Sequence, residues 1–144
     1  MRPTHIILHH SLTADTKTAS WAAIKEYHTK ELHWSDIGYH FGIELIGESY
    51  QVLLGRMMTD SGAHCKELGM NNTSLGICFA GNYDLCEPPP DMWRLGLRLV
   101  MSLREVFLIP RDHVHGHHEF AGYKSCPGTK FDMDRFRWDL VAKI

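Results

Sequence analysis

The sequence lacks a long hydrophobic run and an excess of charge of either sign. These two absences argue against a membrane and against a nucleic acid as binding partners. No apolar run approaches the ~20 residues that a helix needs to cross a bilayer. The 15 basic and 17 acidic residues give a formal net charge of −2, without the basic patch or stripe that is typical of nucleic-acid binders. We therefore expect neither a membrane nor a nucleic acid as partner.

The amino terminus also lacks the features of a secretory signal. It has one basic side chain, Arg2, followed by a short apolar stretch at residues 6–8. A signal peptide carries an apolar region of roughly 7–15 residues before a small-residue cleavage site. We therefore expect the chain to be cytoplasmic when it is synthesised.

Cysteine is scarce, and its spacing is not that of a paired metal motif. The four cysteines stand at positions 65, 78, 86 and 126, with no C-x-x-C pair among them. In a reducing compartment Cys65, Cys78 and Cys86 are expected to be free thiols or small core residues. The spacing alone leaves a disulfide among these three open.

The order of apolar and turn segments predicts a single α/β domain over residues 1–144. Period-two or buried apolar segments predict strands at 4–10, 39–46, 50–54, 74–80 and 112–116. Helical spacing predicts helices at about 17–32, with Thr16 or Thr18 as N-cap, and at about 91–106 and 132–142. The pattern β-α-β-β-β-α-β-α predicts a central mixed β-sheet flanked by helices, with a long loop at 55–73 of the kind that forms a wall of a binding groove.

Histidine is the residue type that stands out, with eleven in the chain. His9 and His10 end the first predicted strand, His117 and His118 follow the last one, and Cys126 precedes a Pro-Gly turn. A catalytic zinc site uses three nitrogen, sulfur or oxygen ligands and keeps a fourth position open for water. Two histidines and one cysteine satisfy this pattern if the first and last strands are neighbours, although strand-end histidines and a core thiol would fit the same residue types.

Five short segments resemble a known family. They resemble the zinc amidases that include the small phage amidase lysins and the peptidoglycan recognition proteins, and they occur in that family's order across nearly the whole chain. The segments are ILHHS at 7–11, DIGYHF at 36–41, NTSLGIC at 72–78, GHHE at 116–119 and KSCPG at 124–128.

The resemblance implies a Zn²⁺ cofactor held by His9, His117 and Cys126. His118 stays the rival of His117 for the second ligand. His10 is expected to point to the opposite face of the sheet, because side chains alternate along a strand.

The resemblance also implies two catalytic residues, Tyr39 and Lys124. The Lys124 ammonium would stabilise the negative oxygen of the tetrahedral intermediate, and Tyr39 would orient water or hydrogen-bond that intermediate. By residue type alone they would be a packed tyrosine and a solvated loop lysine. His64 is expected to line the substrate groove, and His40 to support the site or pack.

The acidic neighbour of the second histidine pair is a candidate for orienting one of its members. Metal-bound histidines usually pass their second N–H to a carboxylate or carbonyl, and Glu119 directly follows His118.

The resemblance implies hydrolysis of the amide bond between the lactyl group of N-acetylmuramic acid and L-alanine in peptidoglycan. The expected setting is a phage or prophage endolysin that acts as a monomer. Two alternatives are a cytosolic amidase that recycles wall fragments and a recognition module that binds peptidoglycan without cutting it. The presence of Cys126 favours a cutting enzyme over the recognition module.

Overall fold

Five strands form one mixed sheet in the computed structural model, which describes residues 1–13 and 21–141. The sheet order is β3-β2-β4-β1-β5. Strands β2 and β3 pair antiparallel as a hairpin, and the other neighbours pair parallel. The strands are β1 (His5–His10), β2 (Phe41–Ile46), β3 (Ser49–Leu54), β4 (Ser74–Phe79) and β5 (Val114–Gly116).

The helices follow the predicted order. They are α1 (Trp21–Glu26), which continues into a π-helical turn (Tyr27–Glu31), then α2 (Pro90–Phe107) and α3 (Met133–Asp139). Residues 17–20, Thr16 and Ala142 of the predicted helices lie outside the described residues. Within the described ranges, none of the helices has the length and apolar character needed to cross a membrane.

The hydrophobic core lies between one face of the sheet and the helices α2 and α3. Alternate residues of β1, β4 and β2 point into it, so that Leu8, Ile77 and Ile43 are completely buried. His10 belongs to this face, as expected, since its Nδ1 accepts a hydrogen bond of 3.0 Å from the backbone N–H of Tyr83 in the core. The core therefore fixes the direction of the next side chain along β1, His9.

The opposite face of the sheet is covered by the long loop at 55–73, which contains a 3₁₀ helix (Glu67–Asn72). His9 on β1 lies beside Cys78 on β4 on this face. Ring atoms of His64, from the loop, lie 2.6 Å from where a Cβ of Gly76 would stand. Only glycine at position 76 therefore lets the His64 ring lie flat against the sheet.

The strand order brings the two histidine segments together. Strands β1 and β5 are hydrogen-bonded neighbours, with Leu8 opposite Gly116. The residues that follow, His9 and His117, therefore leave the carboxyl ends of adjacent parallel strands, the edge at which open α/β sheets place their binding sites.

Candidate metal centre

His9, His117 and Cys126 meet at one point at this edge of the sheet. One ligand atom of each lies within 4.8 Å of the others, and Sγ of Cys126 is 3.5 Å from Nδ1 of His9. Ligands of a tetrahedral zinc ion, at 2.0–2.3 Å from the metal, are about 3.3–3.8 Å from one another. The three donors therefore fit a zinc-type ion in chemistry, and the separation between Cys126 and His9 matches an edge of its tetrahedron.

His118, the rival ligand, is turned away from this group. Its backbone N–H donates to the carbonyl of Cys126 at 2.8 Å, and its Nδ1 lies 3.2 Å from the same oxygen. The structure thus brings His117, and not His118, to His9 and Cys126.

The loop that carries Cys126 is held in place by Asp84. The Asp84 carboxylate accepts hydrogen bonds from the Ser125 hydroxyl at 2.9 Å and from the Thr129 N–H at 2.8 Å. Gly128 has a positive φ of 130°, and a Cβ there would collide with the backbone of Tyr83. The Pro-Gly turn is therefore suited to presenting the thiol, whereas the role of Asp84, more than 40 residues away, could not be read from the sequence.

The second ring nitrogen of His9 is bound by another imidazole. Its Nε2 lies 2.8 Å from Nδ1 of His64, whose own Nε2 faces the carbonyl of Ser74 at 3.4 Å. Burial, together with the neighbouring His40, lowers the pKa of His64 to about 3, so this ring is neutral. A His64 that donates to Ser74 accepts from His9, which leaves the lone pair on Nδ1 of His9 free for a metal.

His64 was expected to line the groove, and it does reach the cavity wall. His64 is only 8% exposed, however, and its ring nitrogens face His9 and Ser74. His40 lies next to it and is fully buried, with Nδ1 accepting from the Gly76 N–H and Nε2 facing the Asp60 carbonyl. Both rings therefore support the candidate site from below.

The second ring nitrogen of His117 meets a carboxylate instead. Its Nε2 lies 3.4 Å from Oε2 of Glu67, and the Tyr123 hydroxyl donates to Oε1 of Glu67 at 2.7 Å. The hydrogen bond from Tyr123 is the main cause that lowers the pKa of Glu67 to about 2. Neither Glu67 nor Tyr123 was predicted, because no motif or periodicity marks them.

Glu119 does not take the expected role of orienting His117 or His118. Its carboxylate accepts from the Gly116 N–H at 2.6 Å and from Arg137 at 2.9 Å, and lies 3.5 Å from His115. Although burial alone would favour the neutral acid, these hydrogen bonds lower the pKa of Glu119 to about 2. Glu119 therefore ties the end of β5 to α3.

Burial sets the protonation of the three candidate ligands. It lowers the pKa of His9 far below its ordinary value, with further contributions from His64 and His117, and it also lowers the pKa of His117. Both rings are thus neutral, which is the form that binds metals. Burial raises the pKa of the Cys126 thiol to about 12, so metal binding would displace its proton.

Tyr39 and Lys124 both line the cavity that contains this group. The Tyr39 ring lies 5.2 Å from the His9 ring. Burial raises the pKa of Tyr39 well above its ordinary value, so it is a neutral hydrogen-bond donor and not a base. Lys124 is exposed at the mouth of the same cavity.

The cavity over the group has a volume of about 480 Å³ and is lined by His9, Tyr39, His117, Lys124 and Cys126 among others. A larger cleft of about 1130 Å³ lies on the other side of the 122–131 loop, and none of the three candidate ligands lines it. The smaller cavity is therefore the one in which the gathered side chains can act on a bound molecule.

This combination defines a class of protein, namely a small α/β domain with a His-His-Cys group that can hold a metal at the carboxyl ends of parallel strands. The chain belongs to the N-acetylmuramoyl-L-alanine amidase family, whose profile matches residues 1–129. The family that the five sequence segments predicted is thereby confirmed.

Similar proteins fall into two groups. The chain is 33% identical to the endolysin of Escherichia phage T7 over 140 residues, which cover 93% of this chain and 84% of the endolysin. It is 31% identical to peptidoglycan-recognition protein SC1a of Drosophila melanogaster over 130 residues, which cover 87% of this chain and 68% of that protein. The solved amidase LysC from Clostridium intestinale URNW superposes with a TM-score of 0.82 at 27% identity, covering 99% of this chain and 87% of LysC.

Proposed function

We propose that this protein is a zinc-dependent amidase that cleaves peptidoglycan between the lactyl group of N-acetylmuramic acid and L-alanine. The observation that carries the proposal is the meeting of His9, His117 and Cys126 in one cavity with Tyr39 and Lys124. Membership of the amidase family and similarity to the endolysin of phage T7 support the same reaction.

The donor set fits zinc, since two neutral imidazoles and one thiol leave a fourth position on the cavity side. Zinc bound there would supply a Lewis acid and an activated water. The residues of the chain then have to place the substrate amide and stabilise the charge that develops on its oxygen.

Two side chains are suited to stabilising the negative charge on that oxygen. Tyr39 is neutral and lies beside His9, so its hydroxyl can donate to the carbonyl oxygen as negative charge develops there. Lys124 brings a cation to the same cavity. Preorganised donors of this kind contribute roughly 10²–10³-fold each to the rate of acyl-transfer reactions.

The proposed setting is a phage or prophage endolysin that is made in the cytoplasm, acts as a monomer and finds its substrate once the wall becomes accessible. The similarity to peptidoglycan-recognition protein SC1a supports a second candidate, a module that binds peptidoglycan. Retention of all three metal-binding residues favours the enzyme, because recognition needs no metal-activated water.

The test is hydrolysis of purified peptidoglycan by metal-free and zinc-loaded protein, followed by labelling of newly exposed alanine amines. The proposal expects new amino-terminal alanine only with zinc, and loss of both the tightly bound zinc and cleavage in Cys126→Ser. Cys86→Ser is the matched control, because Cys86 is exposed and lies outside the cavity. Zinc-loaded protein that sediments with peptidoglycan but releases no alanine amine would identify the recognition module instead.

A further inference from the structure

A second group of metal-binding atoms lies next to the first. Cys65, Glu67 and His117 each offer one ligand atom within 4.8 Å of the others. Oε2 of Glu67 is 3.4 Å from Sγ of Cys65 and 3.4 Å from Nε2 of His117. These separations match the edges of a zinc-type tetrahedron, about 3.3–3.8 Å.

We propose that Cys65, Glu67 and His117 form a second site for a soft divalent cation such as Zn²⁺ or Cd²⁺, sharing His117 with the first site. An imidazole has two nitrogens, and each can bind one ion. Since Nε2 of His117 faces Glu67, its Nδ1 is left for His9 and Cys126. Thiolate and imidazole ligands select zinc-like ions over magnesium or calcium.

The protein around this group is built to hold its donors in place. The Asn71 side-chain oxygen accepts from the backbone N–H groups of both His64 and Cys65 at 2.8 Å, which fixes the backbone that carries the thiol. The hydroxyl of Tyr123 occupies Oε1 of Glu67, so Oε2 alone points between the thiol and the imidazole. These hydrogen bonds hold the thiol and the carboxylate in position beside His117.

An ion can reach this group from solvent. A cleft of about 530 Å³ is lined by Cys65, Glu67, His117 and Tyr123. Cys65 is a buried residue of this cleft, whereas Glu67 is partly exposed. The cleft supplies both the entry path and room for water as the fourth ligand.

Binding of a divalent ion at the second site releases protons from its ligands. The Cys65 thiol loses its S–H proton and His117 loses the proton on Nε2, and both protons go to solvent. With the first site filled, His117 becomes a bridging imidazolate, which is harder to form than a singly bound ring. The second ion is therefore expected to bind more weakly than the first.

The experiment is a titration of metal-free protein with Cd²⁺, followed by thiolate-to-cadmium charge-transfer absorption and by equilibrium dialysis. The proposal predicts two absorption steps and two ions per chain. Cys65→Ser should remove the weaker step and keep the tighter one, Cys126→Ser should remove the tighter one, and Cys86→Ser should keep both. Glu67→Gln should weaken the second step by about tenfold or more, by loss of an anionic ligand.

A single cadmium absorption step that is unchanged in Cys65→Ser would contradict the proposal. Glu67 would then only accept a hydrogen bond from His117, and the second site would not exist. Far-ultraviolet circular dichroism and the thermal midpoint of each metal-free variant show that it is folded. A single step that depends on Cys126 leaves the proposed amidase intact, so the two proposals fail separately.

Discussion

His9 and His117 both line the cavity with an imidazole ring, but the second ring nitrogen of each has a different partner. Behind His9 lies His64, a neutral ring buried against the sheet. Behind His117 lies Glu67, a carboxylate beside an open cleft. One candidate ligand thus has a buried neutral hydrogen-bond partner, and the other has a charged partner.

We call the first region the floor (His9, His64 and Gly76) and the second the rim (His117, Glu67, Tyr123 and Lys124). The floor is built from groups with almost no freedom, because the His64 ring fits only where Gly76 has no side chain. In the rim, Tyr123 and Lys124 are exposed and Glu67 is partly exposed, whereas His117 is buried. We therefore expect changes in the floor to act on metal affinity, and loss of Lys124 from the rim to act on catalysis.

Among changes that keep the three candidate ligands, the largest effect on catalysis is expected at the rim, from Lys124→Ala. Loss of the ammonium should lower the rate of alanine-amine release by about 10²–10³-fold, because the oxyanion loses a preorganised partner. Zinc affinity should be unchanged, since Lys124 offers no ligand. A normal rate with bound zinc would remove Lys124 from the mechanism, and Lys124→Arg is the control that keeps the charge.

The matching change in the floor, His64→Ala, should act on the metal. It leaves Nε2 of His9 without its acceptor, and such supporting partners are worth roughly 10–100-fold in metal affinity. Competition with a chromophoric chelator measures the change. His64→Asn, whose amide oxygen can replace Nδ1, should recover part of the affinity. Equal affinities for wild type and His64→Ala would show that packing alone orients His9.

The substitution Gly76→Ala tests how closely the His64 ring packs against β4 in the floor. The new Cβ would stand 2.6 Å from the His64 ring, so the ring or the strand must move. Overpacking of this kind costs about 1–3 kcal/mol of unfolding free energy, measured by urea denaturation. Gly122→Ala is the control, because a Cβ there meets nothing within 4 Å and should change stability by less than about 0.5 kcal/mol. Equal stability of the two variants would contradict the close fit.

The smallest effect is expected from Tyr123→Phe in the rim. Glu67 loses one hydrogen bond, but the Tyr123 side chain is 72% exposed, and water replaces the lost donor. Zinc affinity should fall by less than about fivefold, or 1 kcal/mol. A loss as large as that of His64→Ala would overturn the distinction between rim and floor.

The elements that carry the site were predictable because their signals are local. Apolar residues 6–8 mark β1, the predicted strands at 39–46 and 50–54 contain most of β2 and β3, and the mixed sheet follows from the element order. Strand β2 starts at Phe41 and not at Tyr39; just before it, the His40 N–H donates to the Gly76 carbonyl, and the His40 carbonyl accepts from the Gly55 N–H. Local patterns thus predict elements better than their ends.

The contacts behind the candidate ligands were not predictable, because they depend on how the 55–73 loop folds back on the sheet. Asn71 turns the loop by binding two backbone N–H groups, and this turn carries His64 beneath His9 and Glu67 beside His117. Nothing in the spacing of these residues indicates such distances. The family resemblance named His9, His117 and Cys126, and their roles as ligands stay a prediction.

The most direct test of the account is a zinc titration of metal-free protein during peptidoglycan digestion. Bound zinc and released alanine amine are measured in the same samples. The account predicts no release without zinc and a rise that is complete at one ion per chain, with the Cys126→Ser protein silent throughout. Release that persists after complete chelation, or that never appears in protein carrying one zinc per chain, would contradict it.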